Sequence, residues 1–292
     1  MRLAVLTAKP DLEIHRELET AASAGGHTLV ILDALATVAQ SHPLALWQGG
    51  QQWPTGDLAA VLPRVGNWRP DSVLAVLSSL LAAGVPSLNG PSAIRRGRDH
   101  WRTGRALAMA GVPHPETLAG SEPEALAATA EAALGFPCVV KQRRSRQGIG
   151  VIRCGSRAEL EAVLDSLWRV GDEVVVQRFC LPGGISRRVL VLDGEVLGAT
   201  EHIAPAGEFR ANAARGAEVT AVDLPAHQAE LARVAAAAVG LSFAGVDLLP
   251  DGDRWVVGEV NPTPGWRHFA AATGVRVADR LVAALARRGW TS

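Results

Sequence analysis

Asp247, Glu259 and Asn261 are the residues with the most chemistry to offer. If AGVDLL and WVVGEV are two antiparallel strands joined by the five-residue loop PDGDR, Leu249 faces Trp255, Asp247 faces Val257 and Gly245 faces Glu259. Side chains alternate along a strand, so both carboxylates then share one face, with Asn261 beside them. Two carboxylates and an amide oxygen form an all-oxygen donor set, which suits Mg²⁺ or Mn²⁺ shared with phosphate oxygens better than zinc. A hairpin with merely solvated acids is the competing reading. The apolar residues around both acids weigh against it, because an ionised carboxylate in an apolar strand needs a partner.

The stretch VVKQRRSRQGIGV, residues 139–151, is the second candidate. Lys141 ends an apolar strand, and Gly148 and Gly150 allow backbone N–H groups close to phosphate oxygens. No G-K-[ST] follows, so this is not a P-loop, and Gly-rich hairpins with arginines are more often solvated turns. Two weaker candidates follow. In VVVQRF (174–179) an apolar strand runs into a polar-aromatic step that could meet an adenine edge through its backbone, with Phe179 as an apolar wall. In EFRANAARGA (208–217) Arg210 and Arg215 flank Asn212 in a loop able to hold phosphate or carboxylate. Taken singly, the first reads as a core strand and the second as surface.

These residues need elements to position them. RLAVLTA, a helix over 11–24 ended by Gly25-Gly26, and HTLVILD read as a βαβ start; 58–65, a helix over about 70–83 and VPSLN (85–89) continue it into a small, mostly parallel sheet. A helix over about 91–110 leads through the proline-rich link GVPHPET. Capping boxes at Ser121/Glu124 and Ser156/Glu159 start two helices around the strands FPCVVK, GVIRC and EVVVQRF. RRVLVL, the Asp193-Gly194 turn and EVLGATEHI form a hairpin, and a helix over 225–239 precedes the acidic hairpin. The expected class is therefore α/β followed by α+β. The domains are 1–90 and 91–292, the second split into a lid-bearing part (about 115–185) and a metal-site part (186–292).

Bulk composition removes other classes. Lys plus Arg and Asp plus Glu both number 29, so the net charge is zero and any polyanion-binding function must be local. Neutral charge and the lack of aromatic-basic interleaving place an RNA-associated module last. The three cysteines show no metal spacing and read as reduced thiols; the eight histidines are scattered. No apolar run reaches the ~18 residues of a membrane span, and the N-terminus lacks a signal-peptide pattern, so a soluble, cytoplasmic chain is expected, with no membrane partner. The hydrolase G-x-S-x-G and the dinucleotide G-x-G-x-x-G after the first strand are both absent.

In this order, the features resemble the ATP-grasp superfamily, in particular the RimK-type α-L-glutamate ligases. The match is carried by PRVG (63–66), NGPSAI with RD (89–99), GFPCVVK then QGIGV (135–151), VVVQRF, RRVLVLDGEVLGA, FRAN with RG, AGVDLL and GEVNPTPG. The resemblance implies an ATP-grasp fold with an N-terminal small α/β pre-ATP-grasp domain. It implies a ligase in which a carboxylate attacks the γ-phosphate of ATP, held with Mg²⁺ or Mn²⁺, and an amine then attacks the acyl phosphate. The partners would be an amino acid such as glutamate and a peptide, protein or small-molecule acceptor, and the chain would form a homo-oligomer. Lys141 would bind phosphate, Gln147, Gly148 and Gly150 belong to the lid, and Gln177, Arg178 and Phe179 border the adenine. Arg210 and Asn212 would lie beside the transferred phosphoryl group, with Arg210 and Lys141 as catalytic cations. Asp247, Glu259 and Asn261 would hold the metal.

Three positions depart from the family pattern: His100 stands where a nucleotide-binding lysine is usual, Arg178 replaces a hinge glutamate, and Ser186 an aspartate near the nucleotide. A histidine at its reference pKa is only partly charged at neutral pH. These departures motivate the alternative of an ATP-binding regulator with a degenerate site. Arg143, Arg144 and Arg146 make the lid unusually basic and suggest recruitment of an acidic substrate.

Overall fold

A computed structural model describes residues 1–66, 68–144 and 150–290. The chain forms two compact units. The first comprises Met1–Ile94, Gly240–Phe243 and Pro262–Ser292, the second Arg95–Val239 and Ala244–Asn261.

In the first unit β1 (Arg2–Thr7) is the middle strand of a parallel sheet, between β2 (Thr28–Asp33) and β6 (Leu58–Arg64). Leu3 to Leu6 are fully buried, the mark of a strand covered on both faces. Helix α1 (Glu13–Ala24) links β1 to β2 and stops where Gly26 turns left-handed at φ 71°. A meander of β3 (Thr37–Ser41), β4 (Leu44–Gln48) and β5 (Gln51–Trp53) was not expected from the sequence. Its strands are too short to show a hydrophobic period, and only the left-handed pair Gly49-Gly50 signals the β4–β5 turn. VPSLN gives only a single bridge, Val61 to Ser87, rather than a strand. Helix α2 (Pro70–Ala82) follows β6.

The helix expected over 91–110 is two helices, α3 (Pro91–Gly97) and α4 (His100–Met109). The break is built by Asp99, whose extended backbone and carboxylate cap α4 by accepting the Arg102 N–H at 3.0 Å. Buried Asp99 also takes Arg143, through Nη2 at 2.6 Å and Nε at 3.3 Å. Burial alone would raise the Asp99 carboxyl, but the Arg143 guanidinium holds it below its usual value. Arg143 is thus an internal clip, also paired with Glu173 at 3.0 Å, and not a free cation for an acidic substrate. Arg144 is exposed; Arg146 lies outside the described residues. Asp99→Ala removes a cap and strands a half-buried guanidinium, so a loss of about 3 kcal/mol in urea unfolding is expected.

The second unit carries two sheets. One has the order β7 (Thr117–Leu118), β10 (Val174–Arg178), β8 (Cys138–Gln142), β9 (Val151–Cys154), backed by α5 (Pro123–Ala133) and α6 (Arg157–Arg169). Ser156 caps α6 as expected, accepting the Glu159 N–H at 3.3 Å. Ser121 does not cap α5: Glu122 occupies that place without a side-chain bond, and Pro123 sets the entry. The other sheet has the order β13 (Glu218–Ala221), β12 (Glu195–Ile203), β11 (Ile185–Leu192), β14 (Phe243–Asp251), β15 (Arg254–Asn261), with α7 (Ala226–Val239) packed on it. The β11–β12 turn has Asp193 at φ 51° and Gly194 at φ 79°, as a type I′ turn requires. Helices α8 (Arg267–Thr273) and α9 (Val277–Trp290) belong to the first unit, where α9 packs on β6. Among the described residues no helix is long and apolar enough to cross a membrane.

Candidate active site

The acidic hairpin differs from its expected register. The turn contains only Gly252 and Asp253, so Pro250 pairs with Trp255 and Leu249 with Val256. The ladder then skips Gly258, and Asp247 pairs directly with Glu259 and Gly245 with Asn261. Without this bulge Glu259 would face Val246 and point to the opposite side of the sheet. Only glycine fits the bulge, because a Cβ on Gly258 would lie 2.7 Å from the Leu249 side chain. The two acids therefore share a face, as the sequence suggested, through a different pairing.

Arg188 on β11 meets this face and holds Asp247 with two bonds, Nε to Oδ1 at 2.7 Å and Nη2 to Oδ2 at 2.6 Å. Sequence reading passed over Arg188. Strand alternation could have found it, since Ser186 and Arg188 share a face while Arg187 turns the other way, 4.3 Å over Trp255 and 2.9 Å from Glu201. Burial, and after it the charge of Asp247, push the Glu259 carboxyl upward; Arg188 and Lys141 oppose them. Among the described residues no group of three His, Cys, Asp or Glu side chains gathers. The donors at the hairpin are two carboxylates and an amide, a set of hard oxygens whose crowded charge a divalent cation would relieve, so the residues fit Mg²⁺.

Lys141 Nζ donates to Gln177 Oε1 at 2.6 Å, and Gln177 in turn donates to Thr117 Oγ1 at 2.8 Å. Burial lowers the Lys141 pKa, while Glu259, Cys180 and Asp247 act to raise it. The lysine is thus pinned between an amide and the acidic pair. His100 lies near it. Burial first, and Lys141 second, push the His100 pKa down to about 3, with Asp99 opposing. His100 is therefore neutral at pH 7, not partly charged as its reference value suggested. The unfolded chain takes up this proton near pH 6.5 and the folded chain only near pH 3, so this contribution to stability is complete above pH 6.5 and falls as the pH drops below it. Between pH 7.5 and 5.5 the wild type should lose about 1 kcal/mol more than His100→Gln in urea unfolding.

One cavity brings most of the expected residues together. It is lined by His100, Lys141, Arg210, Asn212, Asp247 and Glu259 together with Gln177, Arg178, Phe179 and Ser186. Phe179 stands edge-on to Phe209 at 5.9 Å, under Arg153 at 5.2 Å, with room left by Gly183. The Arg178 N–H is committed to the Glu116 carbonyl at 3.0 Å and is therefore not open to a ligand. The Arg178 side chain pairs with Asp251 through two 2.8 Å bonds and with Glu116, so the hinge arginine is an internal anchor. Arg210 is held by Glu208 at 2.7 Å and reaches the Val151 carbonyl at 3.3 Å; the guanidinium keeps the Glu208 carboxyl down at about 2. Two expected residues are not in the cavity wall: Asn261, two pairs beyond the acids and so on the same face, and Gly150, whose carbonyl accepts the Gln142 N–H at 3.2 Å. Gln147 and Gly148 lie outside the described residues.

Residues 97–285 match the RimK-like ATP-grasp domain, and residues 1–94 match the RimK pre-ATP-grasp domain. The chain belongs to the RimK-like ATP-grasp family. It is 32% identical over 286 residues to a probable alpha-L-glutamate ligase of Legionella pneumophila, covering 97% of this chain and 94% of that one. A probable alpha-L-glutamate ligase of Serratia proteamaculans is likewise 32% identical, with 99% and 97% covered. The same fold is seen in the ATP-grasp ligase PsnB complexed with its minimal precursor (TM-score 0.75, 24% identity, 98% of both chains). It recurs in the D-alanine–D-alanine ligase of Bacillus anthracis complexed with ATP (TM-score 0.71, 18% identity, 100% and 98% covered).

Proposed function

We propose that this RimK-like chain is an ATP-dependent carboxylate-amine ligase that adds glutamate, or a similar amino acid, to a carboxylate-bearing peptide, protein or small-molecule acceptor. The observation that carries this reading is the single cavity in which Lys141, Arg210 and the paired acids Asp247 and Glu259 face an apolar slot at Phe179. The relatives named as probable alpha-L-glutamate ligases support glutamate as the amino acid.

Asp247, Glu259 and Asn261 would hold Mg²⁺, with Mn²⁺ as a substitute; the metal neutralises phosphate charge when bound. Arg178 and Phe179 border the adenine through their backbones, and Lys141 and Arg210 hold the phosphates in place. The acceptor carboxylate attacks the γ-phosphate, ADP departs, and the amine of the amino acid displaces phosphate from the acyl carbon. The protein supplies orientation and fixed charge, and little covalent chemistry. His100 and Ser186 each withhold a charge from the nucleotide. The cations and acids that act on the reacting phosphates are all present, which favours turnover over a binding-only regulator. The test is ADP release from Mg-ATP with each amino acid in turn, with glutamate-ended peptides as acceptors and mass spectrometry of the product. A glutamate-dependent signal and a product heavier by one glutamyl residue are expected; tight ATP binding with no ADP over the whole panel would reject the ligase.

A further inference from the structure

We propose that Arg64 binds a carboxylate of the amino-acid or peptide substrate at the carboxyl edge of the β2-β1-β6 sheet, an assignment that rests on the ligase reading above. Arg64 is the last residue of β6 and pairs with Thr7, the last of β1. Strand order reverses here: β1 connects through α1 to β2 on one side, and β6 lies on the other. In parallel sheets the carboxyl ends of strands at such a reversal form the usual ligand crevice.

The arginine itself is short of partners. Its Nη1 donates to the Pro264 carbonyl at 2.7 Å, and its guanidinium lies 4.9 Å over the ring of Trp266. Trp266 is wholly buried and is fixed in turn by a 2.8 Å bond from its Nε1 to Glu17. Arg64 Nε is shut off from water with no acceptor, and no carboxylate among the described residues forms an ion pair with the group. Burial alone lowers its pKa to about 10, with no acidic neighbour offsetting it. A guanidinium held over an indole with most of its donors unused is preorganised for the two oxygens of a carboxylate. Desolvating it without an anion is costly, which an incoming carboxylate would relieve.

The loop after β1 adds two observations at the same edge. Lys9 is exposed there and makes no ion pair among the described residues. His15, 2% exposed, donates from Nδ1 to the Pro10 carbonyl at 2.9 Å, which leaves its buried Nε2 without a partner. The described side chains of this unit with an unpartnered buried nitrogen are His15 and Arg64, one on each side of the reversal.

The experiment is calorimetric titration of the full chain, without nucleotide, with L-glutamate and separately with a short peptide ending in glutamate. Each probe is paired with its carboxamide form. Wild type should bind one of the two acids, which tells free amino acid from peptide tail, and amidation should weaken binding at least tenfold. Arg64→Gln should weaken it by a similar factor, Arg64→Lys by less, and Mg-ATP affinity should stay within twofold in both, which also reports that the variants fold. Binding of neither acid, or equal binding by Arg64→Gln, would overturn the assignment. The two readings separate cleanly. Turnover with an unchanged KM in Arg64→Gln removes the Arg64 site and leaves the ligase, whereas Arg64-dependent binding in a chain that never releases ADP does the reverse.

Discussion

Glu259→Gln is expected to raise the melting temperature of the nucleotide-free protein while lowering ADP formation at least ~100-fold. The two effects have one origin. Burial and the neighbouring Asp247 make the ionised Glu259 carboxyl costly, and Arg188 and Lys141 offset only part of that cost. A carboxyl raised in the folded state destabilises the fold as the pH rises above the unfolded value of about 4.3, so at pH 7 a neutral isostere removes a penalty. Each kcal/mol recovered should appear as roughly 2–4 °C. A metal ligand is lost in the same substitution. A purely structural Glu259 would show a lower melting temperature with activity changed only in proportion to the folded fraction, so calorimetry and an ADP assay on one sample tell the roles apart.

Lys141→Met should weaken ATP binding by roughly 30- to 150-fold, the factor that corresponds to losing a charge-assisted hydrogen bond of about 2–3 kcal/mol. Lys141 sits at the end of β8 with its ammonium fixed 2.6 Å from Gln177, which is itself fixed by Thr117. Three elements thus hold one point charge where it lines the cavity with Arg210 and the acidic pair. Methionine keeps the stem and fills the same volume, so the fold should survive, and burying a thioether costs less than burying an ammonium. Titration calorimetry with a non-hydrolysable ATP analogue measures the loss. Affinity within threefold of wild type would show that Lys141 does not meet the nucleotide.

The parts of this molecule that were legible in its sequence are those fixed by neighbours in the chain. The βαβ start, the Asp193-Gly194 turn, the Ser156 cap and the acidic strands all declare themselves by local pattern. The common face of Asp247 and Glu259 was legible too, although the register was not. A bulge at Gly258 depends on how Leu249 fills the space beside it, which no alternation pattern encodes. The partners of charges were the least legible. Arg143 reads as one of three lid cations, yet Asp99 claims it from 44 residues away. Arg188 drew no reading of its own from the sequence, yet it pairs with Asp247. The break between α3 and α4 falls at the same residue, since Asp99 both caps α4 and holds Arg143. The β3–β5 meander lacked a signal of another kind, its strands being too short for a hydrophobic period.

The most direct measurement of the central claim is oxygen transfer. The chain is incubated with Mg-ATP, glutamate and a glutamate-ended peptide, both carrying ¹⁸O in every carboxyl group, and the released phosphate is weighed by mass spectrometry. A carboxylate that attacks the γ-phosphate leaves one of its own oxygens on that phosphate, so phosphate bearing one ¹⁸O is expected, in step with ADP and amide product. Unlabelled phosphate released at the same rate would mean that water attacks ATP, and would contradict the assignment of the cavity as a ligase site.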